Sequence, residues 1–149
     1  MTDTQVTTHQ AEEDARNDAI LIYVNGRILP KAQAMISVYD SGFMLGDGVW
    51  EGIRLYNGRW TFLDEHIDRL FEAALAIDLD IGMDRAGVIQ AVLDTQAANG
   101  MVTDAHARLM VTRGVKHRPF QHPSLSRSGP TMVIIMEHSR PKLPRPIRL

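Results

Sequence analysis

Few side chains of this 149-residue sequence are suited to chemistry, and their types exclude several reaction classes. The chain has no cysteine, which rules out disulfides, thiolate catalysis and thiolate metal sites. The histidines lack metal-ligand spacing, and there is no His-Glu-x-x-His motif, Walker-type glycine loop or serine nucleophile elbow. What remains are basic and aromatic side chains, among them Trp50, Arg69, Arg118 and Phe120, for which spacing alone assigns no role.

The glycine-rich stretch runs from Ser41 to Gly52, with four glycines in twelve residues among large apolar side chains. Glycine reaches positive φ and lets a backbone approach another chain or a ligand closely. The stretch therefore predicts an unusual backbone path beside something the chain must contact, although a tight turn without a ligand fits the spacing equally well. It leads directly into a hairpin, because Asn57-Gly58 separates two runs of alternating apolar residues.

The elements that must position these side chains follow from apolar periodicity and capping residues. Asn25-Gly26 signals a second hairpin, and Asp64 and Asp84 are candidate N-caps of two amphipathic helices. Residues 35–39 fit a short strand or an extended lead-in, and residues 114–130 a loop. The sequence thus predicts an α+β fold in which two helices, near 64–78 and 84–98, pack on a small antiparallel sheet with strands near 20–29, 51–62, 107–112 and 131–137.

The ends of the chain differ in composition from its centre. Residues 1–19 are polar and predict an N-terminal extension, residues 20–138 a single domain, and residues 139–149 a proline-rich linker followed by the start of a missing domain. Lys plus Arg is 16 and Asp plus Glu is 18, so the charge balance favours neither a nucleic-acid partner nor a membrane surface. Without an apolar run long enough for a bilayer or a signal core, we expect a cytoplasmic protein.

Three blocks, in this order, resemble the N-terminal half of the class IV (fold type IV) aminotransferases. They are Gly46–Arg54, Glu65–Leu70 and Val111–Gly114, and the resemblance extends from about Ile20 to the C-terminus. Gly46-Asp47-Gly48-Val49 is most similar to the D-amino-acid and amine transaminase branch. The resemblance implies a pyridoxal 5′-phosphate (PLP) enzyme in which the cofactor lies between a small N-terminal and a larger C-terminal domain, with each site at a homodimer interface.

The resemblance also implies that the catalytic lysine lies a short way past this chain. None of Lys31, Lys116 and Lys142 matches its position, and their sequence settings predict no buried lysine nucleophile. We therefore expect the N-terminal portion of an aminotransferase acting between an amino acid or amine and a keto acid, inactive as 149 residues alone. The alternatives are a non-catalytic binding domain or processed fragment with the same fold, and an aminodeoxychorismate-lyase-like PLP enzyme.

Individual site residues are implied by the matching blocks. Periodicity alone makes Arg69 a solvated helix residue, whereas its place in the family motif implies that its planar cation binds the cofactor phosphate. Trp50 alone predicts core packing, whereas the resemblance places it in the substrate pocket, where relatives often carry tyrosine. Leu45 and Gly52 match residues that shape the same pocket. Arg118 matches an arginine that holds the substrate carboxylate, and Phe120 stands where that branch has a histidine, which suits a bulkier amine or keto acid.

Overall fold

The computed structural model describes residues 14–140 of the chain. Six strands and three α-helices form the described part, together with three short 3₁₀ turns. In chain order the elements are β1 (Leu21–Val24), β2 (Arg27–Pro30), α1 (Ser41–Leu45), β3 (Gly48–Tyr56), β4 (Arg59–Trp60), α2 (Leu63–Ala76), α3 (Arg85–Ala98), β5 (Ala105–Thr112) and β6 (Thr131–His138); the 3₁₀ turns are Ala15–Ala19, Lys31–Gln33 and Pro123–Leu125.

The strands form one sheet in the order β2-β1-β6-β5-β3-β4, and every pair is antiparallel. This confirms the predicted α+β fold with two main helices. Both Asn-Gly hairpins are confirmed as well, since Asn25, Gly26, Asn57 and Gly58 all have positive φ, as a type I′ turn requires. The central pairing is long: β3 and β5 are in register from Gly48 opposite Thr112 to Leu55 opposite Ala105.

One face of the sheet carries the hydrophobic core, beneath α2 and α3. Alternate residues of the three longest strands point into it, and the side chains of Ile53, Leu109 and Ile134 are fully buried there. Ile67 and Leu70 of α2 and Val88 and Val92 of α3 cover them. The opposite face is covered by neither α2 nor α3, and we call it the open face.

The helix starts differ in how they are capped. Asp84 caps α3 as predicted, because its side chain accepts a 2.8 Å hydrogen bond from the Gly87 N–H. The prediction that Asp64 caps α2 is wrong. The N-cap is Phe62, in the left-handed region with φ 52° and no side-chain hydrogen bond, and Asp64 lies in the first turn, where its charge favours the helix dipole.

The glycine-rich stretch is neither a simple turn nor a long strand. Its first five residues form α1, capped by the Asp40 side chain on the Gly42 N–H at 2.9 Å. Gly46 ends this helix in the left-handed region with φ 68°, which favours glycine, and β3 begins two residues later. Residues 35–39 form no strand: residues 35–37 have no regular structure, and Val38 and Tyr39 lie in a turn.

The polar N-terminal extension is attached to the domain over its last residues. The Asn17 amide donates to the His138 carbonyl at 3.0 Å and accepts from the His138 N–H at 2.7 Å. Residues 1–13, and residues 141–149 of the predicted linker, lie outside the described part of the chain. None of the helices between residues 14 and 140 is long and apolar enough to cross a membrane.

Candidate functional site

Glu51 of β3 points toward the helices and is bound there by two basic side chains of α2. It is buried, with 5% exposure. Arg69 donates from Nε to Oε1 at 2.7 Å and from Nη2 to Oε2 at 2.6 Å, and His66 Nδ1 lies 2.7 Å from Oε2. His66 and Arg69 can share one carboxylate because residues three apart lie on the same side of a helix.

The protonation states of this cluster follow from its geometry. Burial acts to raise the pKa of Glu51, but hydrogen bonds from Arg69 and His66 outweigh it and lower that pKa below its ordinary value. The Glu51 hydrogen bond in turn raises the pKa of Arg69. An ionised carboxylate only accepts, so we assign a hydrogen to Nδ1 of His66 in its contact with Glu51.

The Arg69 guanidinium has N–H donors that Glu51 does not use. Glu51 takes the edge formed by Nε and Nη2, and Nη1 donates to no residue between 14 and 140. The side chain is 64% exposed. A fork held side-on by one carboxylate and open at its other edge fits a phosphate group, which takes two parallel N–H donors from arginine.

Trp50 lies next to Glu51 in β3 but points to the open face. It is 60% exposed and is therefore not a core residue. The guanidinium carbon of Arg108 lies 4.7 Å from the centroid of the Trp50 ring, which is cation–π geometry. The exposed ring and the exposed cation form a surface that is apolar in one part and positively charged in the other.

Gly52 is two residues further along the same face, where it makes room for His106. A Cβ built on Gly52 lies 3.0 Å from His106 Nε2 and 3.7 Å from a ring carbon of Trp50. A side chain at this position therefore requires the imidazole to move. Burial of the half-buried ring lowers the pKa of His106, and the charges of Arg54 and Arg108 lower it further against the opposing effect of Glu137.

Leu45 ends α1, two residues before a partly buried ion pair that joins three elements. It is half-buried, and Asp47 follows after Gly46. Arg113 binds the Asp47 carboxylate at 2.8 Å and 3.1 Å and also donates to the carbonyls of residues 77–78 at the end of α2. The Asp47 side chain therefore fixes the start of β3 against α2.

Arg118 and Phe120 lie in the loop after β5, and both are exposed; for Phe120 the exposed fraction is 61%. Lys116 precedes them and is only 2% exposed, so the expectation that no lysine has a buried setting is wrong for this residue. Nothing in the sequence signalled this burial, because Lys116 lies in a predicted loop next to His117, which is exposed. Lys31 is exposed and donates to the Asn17 carbonyl at 3.1 Å, and Lys142 is outside the described residues.

The candidate residues fall into three places. Trp50 and Gly52 share the open face, Arg69 lies on the helix face with Glu51, and Arg118 and Phe120 stand on the loop. The sequence reasoning did not single out Glu51, His106 or Arg108. Strand alternation carried a signal for Glu51, because a charged residue occupies an inward position between Val49 and Ile53.

Metal binding gains no support from this arrangement. Between residues 14 and 140, no group of three or more histidine, aspartate or glutamate side chains is placed to hold an ion.

The antiparallel sheet with two covering helices is the small domain of the fold type IV enzymes. Residues 48–148, more than half of the chain, match the family model for amino-transferase class IV. The chain therefore belongs to the class IV aminotransferase family, whose members depend on PLP.

Curated relatives come from several branches of this family. The chain is 40% identical over 125 residues to branched-chain-amino-acid aminotransferase-like protein 1 of Arabidopsis thaliana, covering 84% of this chain and 22% of that protein. It is 46% identical over 94 residues to a putative branched-chain-amino-acid aminotransferase of Methanocaldococcus jannaschii, covering 63% and 32%. A D-alanine aminotransferase of Listeria innocua is 40% identical over 96 residues, covering 64% and 33%.

Solved structures of class IV enzymes have the same fold as the described part of this chain. The branched-chain aminotransferase of Thermoproteus uzoniensis has a TM-score of 0.67 at 25% identity, over 80% of this chain and 40% of that one. The 4-amino-4-deoxychorismate lyase of Pseudomonas aeruginosa has a TM-score of 0.64 at 31% identity, over 85% and 42%. The chain thus spans well under half of the length of the proteins it matches.

Proposed function

We propose that this chain supplies the N-terminal portion of a PLP-dependent aminotransferase, which transfers an amino group between an amino acid or amine and a keto acid. The observation that carries the proposal is the Arg69 guanidinium, held on one edge by buried Glu51 and open on the other. This arrangement suits a fixed anion site, and members of the family depend on PLP, whose phosphate it fits.

In this proposal Arg69 anchors the phosphate and Glu51 fixes the direction of the anchor. Charge-assisted hydrogen bonds are short and directional, so the two Glu51 contacts restrict the guanidinium to one plane. The open Nη1 edge then presents its donors without a further loss of side-chain entropy. His66 adds a third contact to the same carboxylate and so resists rotation of Glu51.

The substrate contacts are proposed to lie on the open face and on the loop after β5. Trp50 offers an apolar wall, and the absence of a side chain at Gly52 leaves space beside it. Arg118 is proposed to hold the substrate carboxylate and Phe120 to contact its side chain, while Leu45 shapes the far end of the pocket. When bound, PLP supplies the electron sink for the substrate carbanion, and the protein residues bind and orient both molecules.

Assembly and location belong to the same proposal. Side chains of the segment before β3 and of the loop after β5 expose large apolar surface, notably Met35 at 76%, Phe43 at 70% and Phe120 at 61%. Exposed apolar side chains in such number favour a protein interface. We propose a homodimer in the cytoplasm, with residues 20–138 as the small domain and residues 139–149 leading into a second domain.

A second candidate is an aminodeoxychorismate-lyase-like reaction on the same cofactor. The 31% identity to the Pseudomonas aeruginosa lyase favours it over other activities outside amino transfer. A non-catalytic domain of the same fold is the remaining alternative. A donor screen with the full-length protein separates the three. A transaminase turns over only with a keto acid acceptor, a lyase turns over without one, and a binding domain does neither.

Arg69→Ala tests the phosphate anchor directly. Loss of charged hydrogen bonds costs about 1.5–3 kcal/mol, so we expect the dissociation constant for PLP to rise by about tenfold to a hundredfold. The measurement is a titration of the protein with PLP, followed by visible absorbance, together with a thermal melt without cofactor. Arg59→Ala is the matched control, because Arg59 is also an exposed arginine, on β4.

The anchor is confirmed if Arg69→Ala weakens cofactor retention far more than it lowers the melting temperature. Equal retention in the Arg69→Ala and Arg59→Ala proteins would show that the phosphate is held elsewhere.

A further inference from the structure

Lys116 is a fully buried cation, which is unusual in a loop. Its exposure is 2%, and among residues 14–140 it is the largest of the fully buried side chains. Nζ donates to the carbonyl of His122 at 3.3 Å and to that of Gln121 at 3.4 Å. Burying an ammonium group is costly unless it is hydrogen-bonded, so this side chain is not in place for apolar packing alone.

The contacts of Lys116 run across the loop from its start to its far side. At the base, the Lys116 backbone pairs with Ser126, and the His117 N–H donates to the Leu125 carbonyl at 2.9 Å. The side chain then passes under the loop and reaches the carbonyls at 121 and 122. Residues 117–126 are therefore closed by backbone bonds at the neck and tied from inside by one ammonium group.

Apart from Lys116, the far side of this loop is held by short-range hydrogen bonds within it. The His122 side chain caps the turn Pro123–Leu125, and the Phe120 N–H donates to the Arg118 carbonyl at 2.8 Å. All residues from His117 to Ser124 are exposed, and the aromatic ring of Phe120 packs against no core. Residues 113–130 contain no aspartate or glutamate, so no carboxylate within this segment competes for the cation. Fixing a backbone costs about 1–2 kcal/mol per residue, and without buried apolar surface the internal hydrogen bonds must offset that cost.

We infer that Lys116 is a positioning residue that fixes the loop 117–126 and thereby sets where Arg118 and Phe120 stand. The inference rests on the proposed function for one step only, the contact between Arg118 and the substrate carboxylate. Lys116 itself touches no substrate in this account. It acts through the carbonyls of Gln121 and His122, which follow Phe120 directly in the chain.

The test compares Lys116→Met with Lys31→Met in the holoenzyme that carries this chain. Methionine keeps an apolar stem and removes the donors, while Lys31 is an exposed lysine that also donates to a backbone carbonyl. We expect amide hydrogen exchange at His117, Leu125 and Ser126 to become about tenfold faster in Lys116→Met, with the amides of β5 unchanged. Lys31→Met leaves all of these amides unchanged.

Steady-state kinetics give the second readout. In Lys116→Met we expect KM to rise about threefold or more for amino donors that carry a carboxylate, with kcat and the KM of carboxylate-free amines unchanged. Arg118→Gln has the same selectivity and a larger effect. If Lys116→Met does not fold, Lys116→Gln replaces it, because its shorter side chain cannot reach the two carbonyls and the same loop-specific exchange is expected.

Unchanged exchange at the loop amides overturns the inference, as does faster exchange spread evenly over the sheet. Faster loop exchange without a change in KM also overturns it, provided that Arg118→Gln raises KM. If Arg118→Gln leaves KM unaffected, the proposed carboxylate contact has failed, and the hydrogen exchange alone then decides whether Lys116 fixes the loop.

Discussion

Trp50 and Glu51 are neighbours in one strand, yet they face opposite environments. Glu51 is buried on the helix face and takes three hydrogen-bond contacts from α2, whereas Trp50 is 60% exposed on the open face and contacts the Arg108 guanidinium. The difference follows from the alternation of side chains along a strand. In the proposed function, a single segment therefore orients the anion anchor on one side and presents an accessible recognition surface on the other.

The two faces also differ in what they contribute to stability. The helix face is lined by side chains with 0% exposure, and the carboxylate within it is fully paired. The open face holds its aromatic and basic side chains partly in water. Substitutions of the buried side chains on the helix face should therefore change folding, and substitutions on the open face should mainly change recognition.

The largest expected effect is a difference in stability between a variant on the packed helix face and one on the open face. Ile53→Ala removes a fully buried side chain beneath α2 and should lower the free energy of unfolding by about 2–5 kcal/mol. Trp50→Ala, three residues away on the open face, loses mainly the cation–π contact and should cost no more than about 1 kcal/mol. Urea denaturation of both variants measures the difference. Equal losses would mean that the open face is packed in the protein.

A smaller effect is expected at the paired carboxylate. Glu51→Gln keeps the side-chain shape but removes the charge that Arg69 and His66 contact, so the free energy of unfolding should fall by about 1–3 kcal/mol near neutral pH. Glu72→Gln on the exposed side of α2 is the control and should be close to neutral.

The pH dependence of stability shows whether charge or packing causes the loss of stability in Glu51→Gln. The pKa of Glu51 is lowered in the folded state, so its contribution is fully present above the unfolded value of about 4.3 and is lost as the pH falls through the lower folded value. The stability gap between the natural protein and Glu51→Gln should therefore shrink in acid. A gap that stays constant down to the acid transition would show that packing, not charge, stabilises the position.

The sheet and the helices could be predicted from the sequence because their signals are local. Two Asn-Gly turns, a capping aspartate and apolar periodicity identify the hairpins and both main helices, and only their limits differ in the structure. The start of α2 was misplaced because the sequence offers a good capping residue, Asp64, two positions after the actual N-cap. The left-handed backbone of Phe62 has no signature in residue type.

The site was harder to predict because its contacts are between distant residues. The burial of Lys116 depends on carbonyls that approach only after the loop closes, and the space at Gly52 depends on His106, 54 positions along the chain. Glu51 is the exception. A charged residue at an inward strand position requires a buried partner. From this rule alone, the basic side chains of the next helix could have been predicted as the partners of Glu51.

The smallest expected effect concerns His106 and tests the electrostatics of the open face. Burial is the main cause of its lowered pKa, and the charges of Arg54 and Arg108 add to it, while Glu137 acts in the opposite direction. Arg108→Met should therefore raise the pKa of His106, and Glu137→Gln should lower it further. Because the folded value lies below the unfolded value of about 6.5, the neutral ring stabilises the fold above that pH, and this contribution is lost as the pH falls through the folded pKa. Imidazole NMR titrations of the three proteins, with His106→Asn to assign the signal, measure these shifts. Shifts in the same direction for both variants would mean that the variants act by changing the burial of the ring, and that the open face does not carry the positive field we ascribe to it.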